Sequence, residues 1–234
     1  MESPAVSMLA LGFLLGMKHA METDHVAAVA TMAAEQRSVW RSSLVGVVWG
    51  IGHTAALLVA GMLILGLDLV ITERMHLALE FLVGIMLVGL GWNGLRRAAR
   101  DITLHRHIHV HGGERHAHLH LHVGGRETHE HRHLALPRRS FWVGLVHGLA
   151  GSGAVTVLVL ATIPSIALGL GYILVFGLGS VVGMLVASAA IGLPIALTSS
   201  RIGLVHLRIQ QAAGVVSVAV GTALVWEILR TALR

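Results

Sequence analysis

The segment "HAMETDH" (19–25) sets His19, Glu22, Asp24 and His25 close together, with Lys18 just ahead, in one of the most apolar stretches of the chain. Imidazole and carboxylate without sulfur suit a borderline divalent ion such as Ni, Co, Zn or Cu(II), and argue against Cu(I). Three further polar positions share this apolar setting: His53 in "WGIGHT" (49–54), His147 in "HGLAGSGA" (147–154) and Ser180 in "FGLGSV" (176–181). A charged group at the centre of a bilayer costs about 2.5–3.5 kcal/mol on insertion scales, so such groups line pathways, pair with one another or hold ions. One histidine alone would read as half of a packing pair. Two histidines, two acids and a third histidine on the next apolar run read as an ion site. Its first candidates are His19, Asp24, His25 and His53, with Glu22 and His147 secondary. His147 reads equally well as a hydrogen-bonded histidine in a close-packing segment.

Helix geometry limits how these groups can be aimed. At about 100° per residue, His19, Glu22 and His25 fall within about a third of the circumference, and Asp24 points about 140° away from His19. A straight helix cannot turn them all on one ion. Either the helix unwinds there, or Asp24 orients a ligating imidazole from behind.

The elements that hold these residues are apolar. The chain has 234 residues, 55% hydrophobic and 12% charged, with a mean hydropathy of +0.76. Soluble domains carry about twice that charged fraction. Apolar runs recur at roughly 5–33, 42–66, 76–96, 140–163, 168–195 and 211–230, near the ~20 residues a helix needs to cross a bilayer. Their polarity does not alternate, which excludes a membrane β-barrel. The expectation is an all-α polytopic membrane protein with six transmembrane helices. The first run is long, so it should tilt, kink or unwind near its polar centre. Pro164 and Pro194 should mark span ends. Glycines at small-xxx-small spacing, as at Gly46/Gly50, Gly144/Gly148 and Gly179/Gly183, allow close helix approach. The first run continues into the polar motif behind Glu2, so no cleaved leader is expected. The lack of cysteine excludes thiolate sites and disulfides. The formal charge of +5 reflects arginines between apolar runs and is no nucleic-acid signal.

Those arginines orient the chain. Arg37 and Arg41 lie in the first loop, many arginines in the third, and Arg201 and Arg208 in the fifth, while Arg74 in the second is offset by Asp68 and Glu73. Loops one, three and five should be cytoplasmic, although Arg230 and Arg234 run counter. The third loop contains eleven of the seventeen histidines: His105, His107, His109 and His111; then His116, His118, His120 and His122; then His129, His131 and His133. Such a tract is a compositional metal-binding signal. Its period of two permits a ribbon turning at Gly112 and Gly113, but a flexible loop is the expectation.

The two halves repeat. "GFLLGMKHAMETDHVAAV" (12–29) aligns with "SFWVGLVHGLAGSGAVTV" (140–157), matching Phe13, Gly16 and His19 to Phe141, Gly144 and His147. Asp24 then meets Ser152. "WGIGHT" aligns with "FGLGSV", so His53 meets Ser180; Gly84 and Gly91 match Gly214 and Gly221. Units of three spans in tandem insert with opposite orientation, the architecture of many secondary transporters. The expected organisation is two inverted three-helix repeats, 1–98 and 140–234, around a His-rich loop, 99–139.

These residues resemble the nickel/cobalt transporter (NiCoT) family in its UreH-like short branch. The family's His-x4-Asp-His signature reads "HAMETDH" here, its Gly-His-hydroxyl segment "GIGHTA" (50–55), and the short branch's second-half segment "HGLAGSGA". Glu22 stands where the family often has aspartate. The resemblance implies a carrier of Ni2+ or Co2+ as transported substrate, with no permanent cofactor and no enzymatic activity.

The sequence reading is thus a multi-pass inner-membrane carrier of divalent transition metal, Ni2+ first and Co2+ second, working by alternating access. No phosphate-cradling GxxxxGK[ST] segment is present. The expected partners are the metal ion, the bilayer and a cytoplasmic metallochaperone. Two other functions compete. One is a membrane-anchored metal store or metallochaperone for urease-type enzymes. The other is a carrier of a small, sulfite-like anion whose midplane histidines move protons.

Overall fold

The computed structural model describes residues 4–36, 38–67, 72–100, 102–111, 114–123, 138–150, 165–199 and 203–232. The element order is α1 (Pro4–His19), α2 (Thr23–Ala33), α3 (Val39–Leu67), α4 (Glu73–Arg100), β1 (Ile102–His111), β2 (Glu114–Val123), α5 (Arg138–Ala150), α6 (Ile166–Ser199) and α7 (Gly203–Ala232). Apolar sequence with few charges folds this way because a helix satisfies its backbone polar groups internally, which hydrocarbon demands. Four of the seven described helices, α3, α4, α6 and α7, are long and apolar enough to cross a bilayer. Their outer faces carry large exposed apolar side chains, among them Trp40, Trp92, Leu197 and Trp226. The chain is a membrane protein.

The first apolar run is not one helix. It breaks between α1 and α2, where Met21 N–H donates to the Lys18 carbonyl (3.0 Å) and Glu22 N–H to the His19 carbonyl (3.0 Å). Glu22 is extended (φ −63°, ψ 149°) and starts α2, with Asp24 in the first turn, where an acid favours the positive helix end. Of the fourth run, the described helix covers 138–150; residues 151–164, with Ser152 and Pro164, lie outside the described residues. Pro194 closes the membrane-spanning stretch Ile166–Pro194, as expected, but not the helix. It lies inside α6, which continues to Ser199.

The third loop also departs from expectation. Residues 102–111 and 114–123 pair as an antiparallel ribbon where a flexible loop was expected, with His105 opposite His120, His107 opposite His118 and His109 opposite His116. The cause is the period-two alternation of histidine with residues such as Ile108 and Val110, which matches the pleat of a strand. His129, His131 and His133 lie outside the described residues.

Close crossings hold the bundle together. A Cβ at Gly16 would strike the Phe176 carbonyl of α6, and one at Gly179 the Phe13 carbonyl of α1. A Cβ at Gly144 would strike the Trp49 carbonyl of α3, and one at Gly52 the Phe141 carbonyl of α5. In the α4–α7 crossing, a Cβ at Gly91 would come within 2.5 Å of the Gly214 carbonyl oxygen, and one at Gly221 within 2.6 Å of the Gly84 carbonyl oxygen. Only glycine allows backbones this near, and the gain is dispersion over the whole crossing. At one end of the bundle Glu35, just past α2, accepts from Arg97 (2.7 Å) of α4 and Arg139 (3.3 Å) of α5. The first and third loops therefore lie at the same end.

Candidate metal centre

The helix break does what a straight helix could not. It ends α1 on His19 and restarts the chain so that both Asp24 and His25 reach the bundle interior. His53 arrives from the middle of α3 and His147 from the last turn of α5. His25, His53 and His147 are fully buried, and His19 is nearly so. Ring centroids lie 4.3 Å apart for His19 and His25, 5.2 Å for His25 and His53, and 4.2 Å for His25 and His147. Five of the six residues picked from sequence thus meet in one cluster, and Glu22 borders it. The ribbon histidines His105–His111 and His116–His122 belong to β1 and β2, separate elements of the chain.

Two trios stand out, and they share His25. One is His19, His25 and His53; the other is Asp24, His25 and His147. In each, one ligand atom per residue lies within 4.8 Å of the others. Their hydrogen bonding differs. Asp24 has both oxygens engaged, Oδ1 with His25 Nδ1 (3.0 Å) and Oδ2 with His147 Nε2 (2.9 Å). Glu22 pairs with His19 Nδ1 at 3.0 Å. Each histidine of the broken helix therefore has a carboxylate on Nδ1, the arrangement that fixes ring orientation in metal sites. The opposite nitrogens, His19 Nε2 and His25 Nε2, are buried without a hydrogen-bond partner, as are both nitrogens of His53. An orphaned buried polar atom costs about 1–3 kcal/mol. The three residues that carry them, His19, His25 and His53, each offer one ligand atom within 4.8 Å of the others, an arrangement that could hold an ion.

The donor set suits a divalent cation. Three imidazoles are nitrogen ligands without sulfur, and two carboxylates behind them supply charge opposite to a 2+ ion. With bonds of about 2.1 Å and tetrahedral angles, donor atoms sit about 3.4 Å apart. The imidazole trio, with ligand atoms within 4.8 Å of one another, would draw in to reach that spacing.

Sequence reasoning missed Trp49. Its buried indole stacks on His53 (5.0 Å, 14° between planes) and meets His25 and His147 edge-on at 5.0 and 5.3 Å. Phe176 lies 5.4 Å from His19. The signal was available: both residues open the aligned segments "WGIGHT" and "FGLGSV". Asp24 and His147 also meet, which the alignment, pairing His19 with His147, did not suggest. Ser180 is fully buried, with its hydroxyl unpartnered.

The chain is 39% identical over 216 residues to the urease accessory protein UreH of Bacillus sp. (strain TB-90), covering 92% of this chain and 89% of that one. It belongs to the UreH family. Two Arabidopsis thaliana proteins are also similar. Chloroplast protein FOR GROWTH AND FERTILITY 1 is 29% identical over 77% of this chain, and FOR GROWTH AND FERTILITY 2 is 24% identical over 92%. This chain spans about half the length of each, 48% and 55%. No family model and no solved structure matches.

Proposed function

We propose that this UreH-family protein carries divalent transition-metal ions across the membrane, Ni2+ first and Co2+ second. The observation that carries the reading is the trio His19, His25 and His53, with four orphaned imidazole nitrogens inside a helical membrane bundle. These three histidines hold the ion. Asp24 and Glu22 orient His25 and His19 from behind, and His147 fixes the far oxygen of Asp24. Accessory service to urease, the role in the bacterial relative's name, is in keeping with nickel handling.

The architecture proposed is six spans in two inverted repeats, 1–98 and 140–234, in the plasma membrane. Support comes from the matched crossings. Gly16 on Phe176 and Gly144 on Trp49 occupy aligned positions, as do Gly179 on Phe13 and Gly52 on Phe141. A site at such a repeat interface suits alternating access. The histidine ribbon, joined to α4 at the end where Glu35 pairs with Arg97, would collect or pass on metal on the cytoplasmic side, where a metallochaperone would meet it.

Flux of Ni2+, Co2+, Zn2+ and Mn2+ into proteoliposomes tests this, with wild type beside His53→Gln. Nickel or cobalt flux that the variant lacks is expected. Absence of metal flux from folded, inserted wild type would overturn the reading. Flux of a small oxyanion without metal would replace it with the anion carrier.

A further inference from the structure

The ribbon of β1 and β2 has two unlike faces, and the carrier reading uses only one. Successive residues of a strand belong to opposite faces, so successive rungs of the register alternate between them. All eight histidines of the two strands fall on one face, in rungs such as His105–His120, together with the ribbon's one acid, Glu114. The other face holds apolar rungs such as Leu104–Leu121 and Ile108–Ala117, with both arginines of the ribbon, Arg106 and Arg115. We infer that this apolar face lies on the bilayer surface, with Arg106 and Arg115 at anionic lipid headgroups, and that the histidine face is thereby held toward water. The inference needs the membrane and stands apart from the transport reading.

Three observations favour lipid as the cover. The first is that the ribbon needs one. A lone two-stranded hairpin is at best marginally stable in water, and an apolar face must pack on something to hold its register. Among the described residues β1 meets α4 and β2 meets α7 at only a few positions, so the helices do not cover the face along its length.

The second is continuity. β1 begins at Ile102, directly after α4 ends at Arg100, and α4 is one of the helices long and apolar enough to cross the bilayer. Near that end Trp92 is exposed, with the Arg96 guanidinium 5.0 Å over its ring. Tryptophan and arginine together mark the headgroup level of a membrane helix. The ribbon therefore starts where the hydrocarbon stops.

The third is charge. The apolar face carries two arginines and no acid, while Glu114 stands on the other face. Apolar residues interleaved with cations suit a surface of anionic lipid, which attracts basic groups within a Debye length. A period of two thus sorts the ribbon's chemistry twice: metal-ligand types on one side, lipid-compatible types on the other. Docking would hold the histidines in a row above the membrane beside the bundle, instead of on a free tether.

The test uses the full chain, which has no cysteine, so single cysteines report cleanly. Leu104→Cys, Ile108→Cys and Leu119→Cys sample one face, and His107→Cys, His109→Cys and His118→Cys the other. Each variant is labelled with the same environment-sensitive fluorophore in vesicles of mixed phosphatidylcholine and phosphatidylglycerol. Labels at 104, 108 and 119 should emit to the blue and lose most of their intensity to spin-labelled lipid. Labels at 107, 109 and 118 should instead be quenched by aqueous acrylamide. In the Ile108→Cys chain, adding Arg106→Gln and Arg115→Gln should reduce the lipid quenching toward its level in pure phosphatidylcholine. Equal behaviour on the two faces, or lipid quenching of the histidine face, overturns the inference. So does lipid quenching that ignores the loss of both arginines. Labels at 104, 108 and 119 shielded from both quenchers, with Leu119→Cys forming disulfide-linked dimers, would give the face to a second copy of the chain and overturn it as well.

Discussion

Replacing His53 should make the metal-free protein more stable, not less. His53 is fully buried, and neither ring nitrogen has a hydrogen-bond partner. Taking the low end of about 1–3 kcal/mol for each orphaned atom, its burial costs about 2 kcal/mol. Its stacking on Trp49 returns about 0.5–1.5 kcal/mol. His53→Leu, which fills a similar volume without polar atoms, should therefore gain about 1 kcal/mol, or about 2–4 °C in Tm for a chain this long. Metal reverses the order. At a free-ion concentration 100-fold above Kd, wild type gains about 2.7 kcal/mol from linkage, and the variant gains nothing. The assay is thermal unfolding of both purified proteins, first in chelator and then across a Ni2+ series. If His53→Leu melts several degrees below wild type in chelator and Ni2+ moves both alike, His53 is a packing residue and the ligand argument fails. A residue that costs stability until its ligand arrives is what a binding site built at the expense of the fold produces.

Other predictions follow from the same contacts. Asp24→Asn weakens the hold on both His25 and His147 and should lower Ni2+ affinity by about 10–100-fold, read by equilibrium dialysis, since that is the usual effect of removing a carboxylate behind a ligating histidine. Gly91→Val drives a side chain into the Gly214 carbonyl and Val218 and should cost about 1–3 kcal/mol as overpacking; Gly89→Ala on the same helix, with open space around it, should leave Tm unchanged or raise it. Glu35→Gln removes the ion pairs to Arg97 and Arg139 but at a partly exposed bundle end, so it should cost no more than about 1 kcal/mol in denaturant titration. Exchanging residues 102–133 for a Gly/Ser linker should leave metal flux measurable; complete loss of function would favour a metal store.

Some of this protein was readable in the chain because it depends on solvent and local period alone. Long apolar runs must become helices in a bilayer, and α3, α4, α6 and α7 did. Ionisable groups at 19–25 cannot face lipid, so an inward site followed before any coordinate. The glycine matches between halves foretold close crossings, since the absence of a side chain is a property of the residue itself. The ribbon was half-legible: its alternation was noted, yet its pairing depends on two strands meeting, which a single strand's period does not fix.

Tertiary structure decided the rest. Sequence could say that a straight helix would misdirect Asp24, but not whether the helix would break or Asp24 would stand behind a ligand. The chain unwinds at Met21 and Glu22, and Asp24 spends its oxygens on His25 and His147. Pro194 ends the apolar span, yet the helix runs on past it to Ser199. Trp49 was given no role from sequence, and the structure sets three histidine rings against it. The physical reason is common to all of these. Which groups must be buried is fixed by their own chemistry, but which atoms meet depends on helix crossings between residues more than a hundred positions apart in the chain, such as Asp24 and His147.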